Sequence, residues 1–143
     1  MRMKREIGGI RIMKRVTLFL AVMVLLAGSI SAYAKDYEMT KKAGDYTVLV
    51  SIDKNPPVTG KNNMTVTIMD GAGKQVNDAK VDIDYGMPAM PGMPAMNYKS
   101  KATVQKESYH SVVDFSMSGP WAITIKINHS GKTQSVKLNV DVK

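Results

Sequence analysis

Four methionines stand three residues apart in Met87-Pro88-Ala89-Met90-Pro91-Gly92-Met93-Pro94-Ala95-Met96, a near-perfect repeat of Met, Pro and a small residue. Half of the eight Met residues that follow position 34 lie in these ten positions. The thioether is a soft, neutral ligand that favours Cu(I), whereas Zn and Cu(II) want imidazole, thiolate or carboxylate. It does not titrate, so such a site keeps its ligands in mildly acidic surroundings where His or Cys would protonate. Each Pro fixes its own φ and pushes the preceding Met toward extended backbone, so the local preference is polyproline II. At about three residues per turn and a rise of about 3.1 Å, that helix stacks the four Met on one side, roughly 9 Å apart. Flexible Met side chains on neighbouring turns can bring two sulfurs together, and a bend at Gly92 can gather three. Two other readings stay open: Met is adaptable filler for an irregular core, and an exposed Met/Pro surface can grip a partner or cover an open end of the fold without any metal.

The other chemistry-bearing residues are sparse. His110 and His129 are the only imidazoles and there is no Cys. His129 falls in the polar run His129-Ser130-Gly131-Lys132 and reads as a solvated turn residue. His110 alternates with Tyr109 and Val113, so it faces outward, and it is a further candidate metal ligand. Asp82 and Asp84 share one strand face, a spacing that a solvated sheet surface also requires. No Gly-rich phosphate loop, nucleophile elbow or His-rich hydrolytic site is present, and the chain reads as a binding protein with no enzymatic activity.

The elements that must position these residues are short strands. Tyr46, Val48, Val50 and Ile52 alternate on one face; Met64, Val66 and Ile68 form a second set, and Val81, Ile83 and Tyr85 a third. Strands resume over 98–105 and 109–117. Trp121, Ile123, Ile125 and Ile127 follow the breaker Ser118-Gly119-Pro120, and Val136, Leu138, Val140 and Val142 end the chain. Asp70-Gly71-Ala72-Gly73 reads as a turn. Seven short strands with one apolar face each predict an all-β fold, an immunoglobulin-like antiparallel sandwich, with a small closed barrel as the structural alternative.

Residues 1–34 belong to a different regime. They hold six basic residues and one acidic one, and so carry +5 of the formal +8. The remainder has 14 Lys, no Arg and 11 acidic residues. Phosphate recognition clusters Arg and Lys on one face, so no nucleic-acid binding is expected. Lys14 and Arg15 precede an apolar run from Val16 to Gly28, and Ala32-Tyr33-Ala34 supplies an A-x-A cleavage pattern. The run is too short for the roughly 20 residues of a membrane span. Residues 1–34 are therefore expected to be a secretory signal peptide, with translation from Met13 giving a compact form of it, and residues 35–143 to be a single exported domain. That places the protein in a periplasm or outside the cell, touching the membrane only through the uncleaved signal.

The order Asp70-Gly71-Ala72-Gly73-Lys74-Gln75-Val76, Ala79-Lys80-Val81, the Met/Pro loop and Ser116-Met117-Ser118-Gly119-Pro120-Trp121 resembles the YtkA-like and FixH-like domains of bacterial envelope proteins. The likeness spans about residues 40–142. It implies an immunoglobulin-like sandwich at the cell envelope and a link to copper and heavy-metal traffic, with an efflux component or another envelope protein as partner. By the same resemblance Met87, Met90, Met93 and Met96 fall on a Met-rich loop, and Met117 and Trp121 on a later turn near it. Trp121 then serves as a core side chain or as an indole over bound Cu(I). The expected activity is binding or delivery of Cu(I), with docking of a metal-free interaction module as the alternative. Clustered exposed Met acting as an oxidant sink is a third.

The leader reading makes one direct prediction. Produced in a secreting host, the mature protein begins at Lys35, which intact-mass measurement and N-terminal sequencing read directly; a product retaining residues 16–34 refutes the cleavage assignment.

Overall fold

A computed structural model describes residues 35–143, and the expected signal peptide lies outside them. Residues 35–143 form one compact unit. Nine strands follow in chain order: β1 (Tyr37–Ala43), β2 (Tyr46–Ile52), β3 (Gly60–Met69), β4 (Lys80–Met87), β5 (Met96–Lys101), β6 (Thr103–Gln105), β7 (Ser108–Phe115), β8 (Gly119–His129) and β9 (Lys132–Val142). They form two antiparallel sheets, ordered β1-β2-β3-β7-β6 and β5-β4-β8-β9. Pairing of β3 with β7 and of β4 with β8 gives the two sheets the strand order of an immunoglobulin-like sandwich.

The core follows from the period of two. Val48, Val50 and Ile52 on β2, and Met64, Val66 and Ile68 on β3, are all fully buried. They face Val81, Ile83 and Tyr85 on β4 and Trp121, Ile123, Ile125 and Ile127 on β8. Each such aliphatic side chain contributes about 1.5 to 3 kcal/mol by leaving water.

Two strands beyond the expected seven arise from features that hydropathy does not register. β1 buries only Ala43 and is held by backbone pairing along the whole of β2, from Tyr37 opposite Ile52 to Ala43 opposite Tyr46. The expected strand over 98–105 is two strands in different sheets. After Lys101 the chain leaves β4; the Ala102 N–H donates to the Val81 carbonyl at 3.1 Å, and Thr103–Gln105 then pairs with β7. One residue thus carries the chain from sheet to sheet.

Buried polar groups are paired with care. The Asn62 side chain is fully buried, yet it accepts from the Val58 N–H and donates to the Val58 and Gly60 carbonyls. Asp70 closes its turn by accepting from the Ala72 and Lys74 amides, both at 2.9 Å. The Tyr109 hydroxyl, from a ring 1% exposed, accepts from the Ala79 N–H at 2.9 Å and donates to the Val76 carbonyl at 3.0 Å. It fixes the segment entering β4. Desolvation holds the Tyr109 phenol above its ordinary value of 10.0; the Ala79 amide opposes that shift and nearby Asp78 adds to it.

A phenol with a raised folded pKa contributes stability that is full below about pH 10 and is lost as the pH rises through its folded value. Tyr109→Phe orphans the Ala79 N–H and Val76 C=O and lowers stability by about 1 to 3 kcal/mol in urea unfolding at pH 7. Its stability also falls less steeply than wild type above about pH 10; identical alkaline profiles would contradict this assignment.

Candidate functional site

The Met/Pro segment is a hairpin, not a polyproline II rod. β4 and β5 extend until Met87 stands opposite Met96. Beyond a short gap, Met90 and Met93 exchange both backbone hydrogen bonds, at 3.0 and 2.9 Å. Pro91 and Gly92 form the turn between them, with Gly92 at φ 82°, as a type II turn requires. Cross-strand pairing overrides the local preference because every Pro occupies a place where no donor is needed. Pro91 is the first central residue of the turn, while Pro88 and Pro94 sit in the gaps between bonded pairs. The single stripe of four thioethers therefore becomes two cross-strand pairs, Met87 with Met96 and Met90 with Met93.

The base of the hairpin meets the turn between β7 and β8. Met87 is 2% exposed, and its methyl lies against Gly119, where an added Cβ would approach it to 3.2 Å. Gly119 also holds φ 124°, a conformation open to glycine. On β5, Met96 Sδ lies 3.6 Å from the Ser116 hydroxyl and 3.8 Å from that of Tyr98, both weak donors to sulfur. Met117, the residue after Ser116, is partly buried against the same core. Met87 and Met96 thus meet the turn that carries Met117 at one corner of the sandwich.

Trp121 supports that corner. The indole is 1% exposed, and its ring centroid is 5.1 Å from that of Phe115, 5.9 Å from Tyr98 and 6.1 Å from Tyr85. Its Nε1–H donates to the Met117 carbonyl at 3.0 Å. Trp121 is a core side chain that also fixes the backbone bearing Met117. Tyr98 stacks on Tyr85 at 5.5 Å while remaining 38% exposed, so an aromatic surface continues from the core to solvent beside Met96. Sequence reasoning did not single out Tyr98 or Ser116. Tyr98 had a signal in lying two residues beyond Met96, hence on the same strand face; Ser116 had one in opening the Ser116–Trp121 turn that carries the family resemblance.

The remaining candidates lie elsewhere. His110 projects from β7 on the outer face of the five-stranded sheet, with Nδ1 3.3 Å from the Thr65 hydroxyl. It stands five residues along the strand from Phe115, about 17 Å, and does not join the methionines. His129 corrects the expectation of a solvated turn. Its Nδ1 is 2.7 Å from the Tyr46 hydroxyl and its Nε2 3.0 Å from Asp78 Oδ1, which spends both ring nitrogens at the opposite end of β8. The turn itself is Ser130-Gly131, with positive φ at both positions. Asp82 and Asp84 lie in a ladder of opposite charges, Asp84 with Lys126 and Asp82 with Lys80 at 3.6 Å. The hydrogen bond and charge of Asp84 raise the Lys126 pKa above its usual range. Among the described residues, no three His, Cys, Asp or Glu side chains converge to hold a metal. From Tyr85 to Tyr98 the sequence carries no charge.

Fold and site define a small immunoglobulin-like sandwich with a methionine-lined corner and a Met/Pro hairpin standing on it. The chain belongs to the YtkA-like family, whose model matches residues 40–126. That span runs from β1 through most of β8 and includes the entire hairpin. No curated protein and no solved structure matched the chain.

Gly86 sets the register of the hairpin. A Cβ there would lie 2.2 Å from the Met96 carbonyl oxygen, so the β5 backbone must shift to accommodate any side chain. Gly86→Ala lowers stability by about 1 to 3 kcal/mol and perturbs the amide NMR shifts of Met87 and Met96 more than those of β9. A variant of wild-type stability with unshifted hairpin resonances would rule out this constraint.

Proposed function

We propose that this chain is a small exported domain that binds or delivers Cu(I) through its Met/Pro hairpin, and that it acts as a carrier without catalysing a reaction. The observation that carries the reading is the convergence of Met87, Met96 and Met117 at one corner beside the Trp121 cluster. Neutral sulfur donors, two of them in the charge-free segment from Tyr85 to Tyr98 and the third at Met117, suit a soft monovalent cation and offer little to hard divalent ions. The aromatic and aliphatic surroundings limit competition from water, and the Gly119 and Gly86 constraints hold the donors on rigid strands. The reading extends to a periplasmic setting through the sequence of residues 1–34, and to metal homeostasis through the chemistry of the donors.

A second reading, a metal-free module docking on an envelope partner such as an efflux component, has one observation in its favour. Pro88, Ala89, Met90, Pro91, Pro94 and Ala95 are all exposed, so the hairpin presents an uncharged, largely apolar knob to solvent. The two readings differ in whether the sulfurs are needed as ligands or only as apolar surface, which leucine supplies equally well.

Anaerobic titration of the purified protein with Cu(I) against a competing chelator separates them. Wild type binds one Cu(I), and the variant with Met87, Met90, Met93 and Met96 changed to Leu loses at least about tenfold in affinity while keeping its circular-dichroism spectrum. Absence of Cu(I) binding by folded wild-type protein refutes the carrier reading and leaves the docking module.

A further inference from the structure

The four hairpin methionines are not equivalent, and their inequality has a direction. Met87 at the base is 2% exposed, whereas Met90 at the tip is 36% exposed. Met87 and Met96 are cross-strand partners at the ends of β4 and β5, and Met90 and Met93 are partners at the turn. Partners in an antiparallel pair carry their side chains on the same side of the ribbon, with Cα atoms about 5 Å apart, so the two sulfurs of a pair can share an ion. The pairs themselves are separated by three residues of extended chain, about 10 Å. A single ion held directly by all four would require this hairpin to fold up on itself, against two proline-stiffened arms and a turn already closed by two backbone hydrogen bonds.

The surroundings of the pairs differ as well. The turn carrying Met117 stands beside the base pair, with the Met117 carbonyl accepting from the Trp121 indole, and the Ser116 and Tyr98 hydroxyls donate to the Met96 sulfur. Three donors on supported backbone favour tight, slow binding. The tip pair has two donors on a projecting turn, which favours weak, rapid exchange and leaves open positions for donors from another molecule.

Resting on the carrier reading above, we propose that the hairpin is a two-station device. Met87, Met96 and Met117 store Cu(I), and Met90 with Met93 form an outer station through which the ion enters and leaves. No bond but metal–sulfur coordination is made or broken, and the ion remains Cu(I) throughout. The partner that fits the tip presents its own soft donors, thioether or thiolate, on an uncharged surface able to meet Pro88, Pro91 and Pro94. A station used only in transit accelerates capture and release by the same factor, so its removal alters rates and leaves the equilibrium affinity in place.

Equilibrium titration and stopped-flow transfer of Cu(I) from the protein to bicinchoninate together test the division. Met90→Leu plus Met93→Leu keeps the dissociation constant within about threefold of wild type and slows transfer by about tenfold or more. Met87→Leu plus Met96→Leu weakens binding by at least about tenfold; should that variant fail to fold, Met117→Leu provides the same comparison. Equal loss of affinity in the tip and base variants would show one shared site and overturn the proposal. So would a tip variant that transfers at the wild-type rate, or a folded base variant of unchanged affinity. Failure of wild type to bind Cu(I) would instead remove the carrier reading itself, and the two stations with it.

Discussion

The indole of Trp121 joins the two sheets at the end where the methionines gather. Its ring packs on Phe115 from one sheet and on Tyr85 and Tyr98 from the other, and its only polar atom is satisfied by the Met117 carbonyl. Burying so large an aromatic ring with its N–H paired supplies apolar area without leaving an orphaned donor. It also converts the turn between β7 and β8 from a free connection into a fixed support. Met117 is placed by this contact, Met87 by the room that Gly119 leaves for its methyl, and Met96 by its strand pairing.

A hairpin rooted in that corner gains order that its sequence alone would not provide. Two-stranded ribbons are marginal in water when isolated. Here β4 is a central strand, paired with β8 from Lys80 to Gly86 and with β5 from Asp82 to Met87, so the ribbon is an extension of an established sheet. Proline restricts the arms and Pro91-Gly92 closes the turn, which lowers the entropy lost on ordering the tip. Rigidity at the base and exposure at the tip follow from one geometry.

The opposite end of the molecule is built from different chemistry. His129, Tyr46 and Asp78 form a hydrogen-bonded chain that links β8, β2 and the loop before β4, with the Tyr46 and His129 rings edge to face at 5.8 Å. Ten residues of β8 separate His129 from Gly119, about 33 Å of extended strand, so the imidazole is a structural fastener remote from the sulfurs. Between the two ends, alternating charges on the outer face of the four-stranded sheet keep that face solvated.

The sequence by itself determined the all-β class, the inward faces of the main strands, the turns at Asp70 and Ser130-Gly131, and the unusual composition of the Met/Pro segment. These are local properties: a period of two, turn chemistry, and an unusual repeat of one residue type. Only the tertiary structure decided that β1 is a strand, that Ala102 divides an apparent single strand between two sheets, and that His129 is paired at both nitrogens. Each of these depends on a backbone or side-chain partner distant in sequence. The same reason separates the expected row of four thioethers from the observed pairs. Proline fixes φ at its own position, but which methionine faces which is a matter of strand register, the β4–β5 pairing that runs from Asp82 opposite Lys101 to Met87 opposite Met96, with β5 passing closely over Gly86.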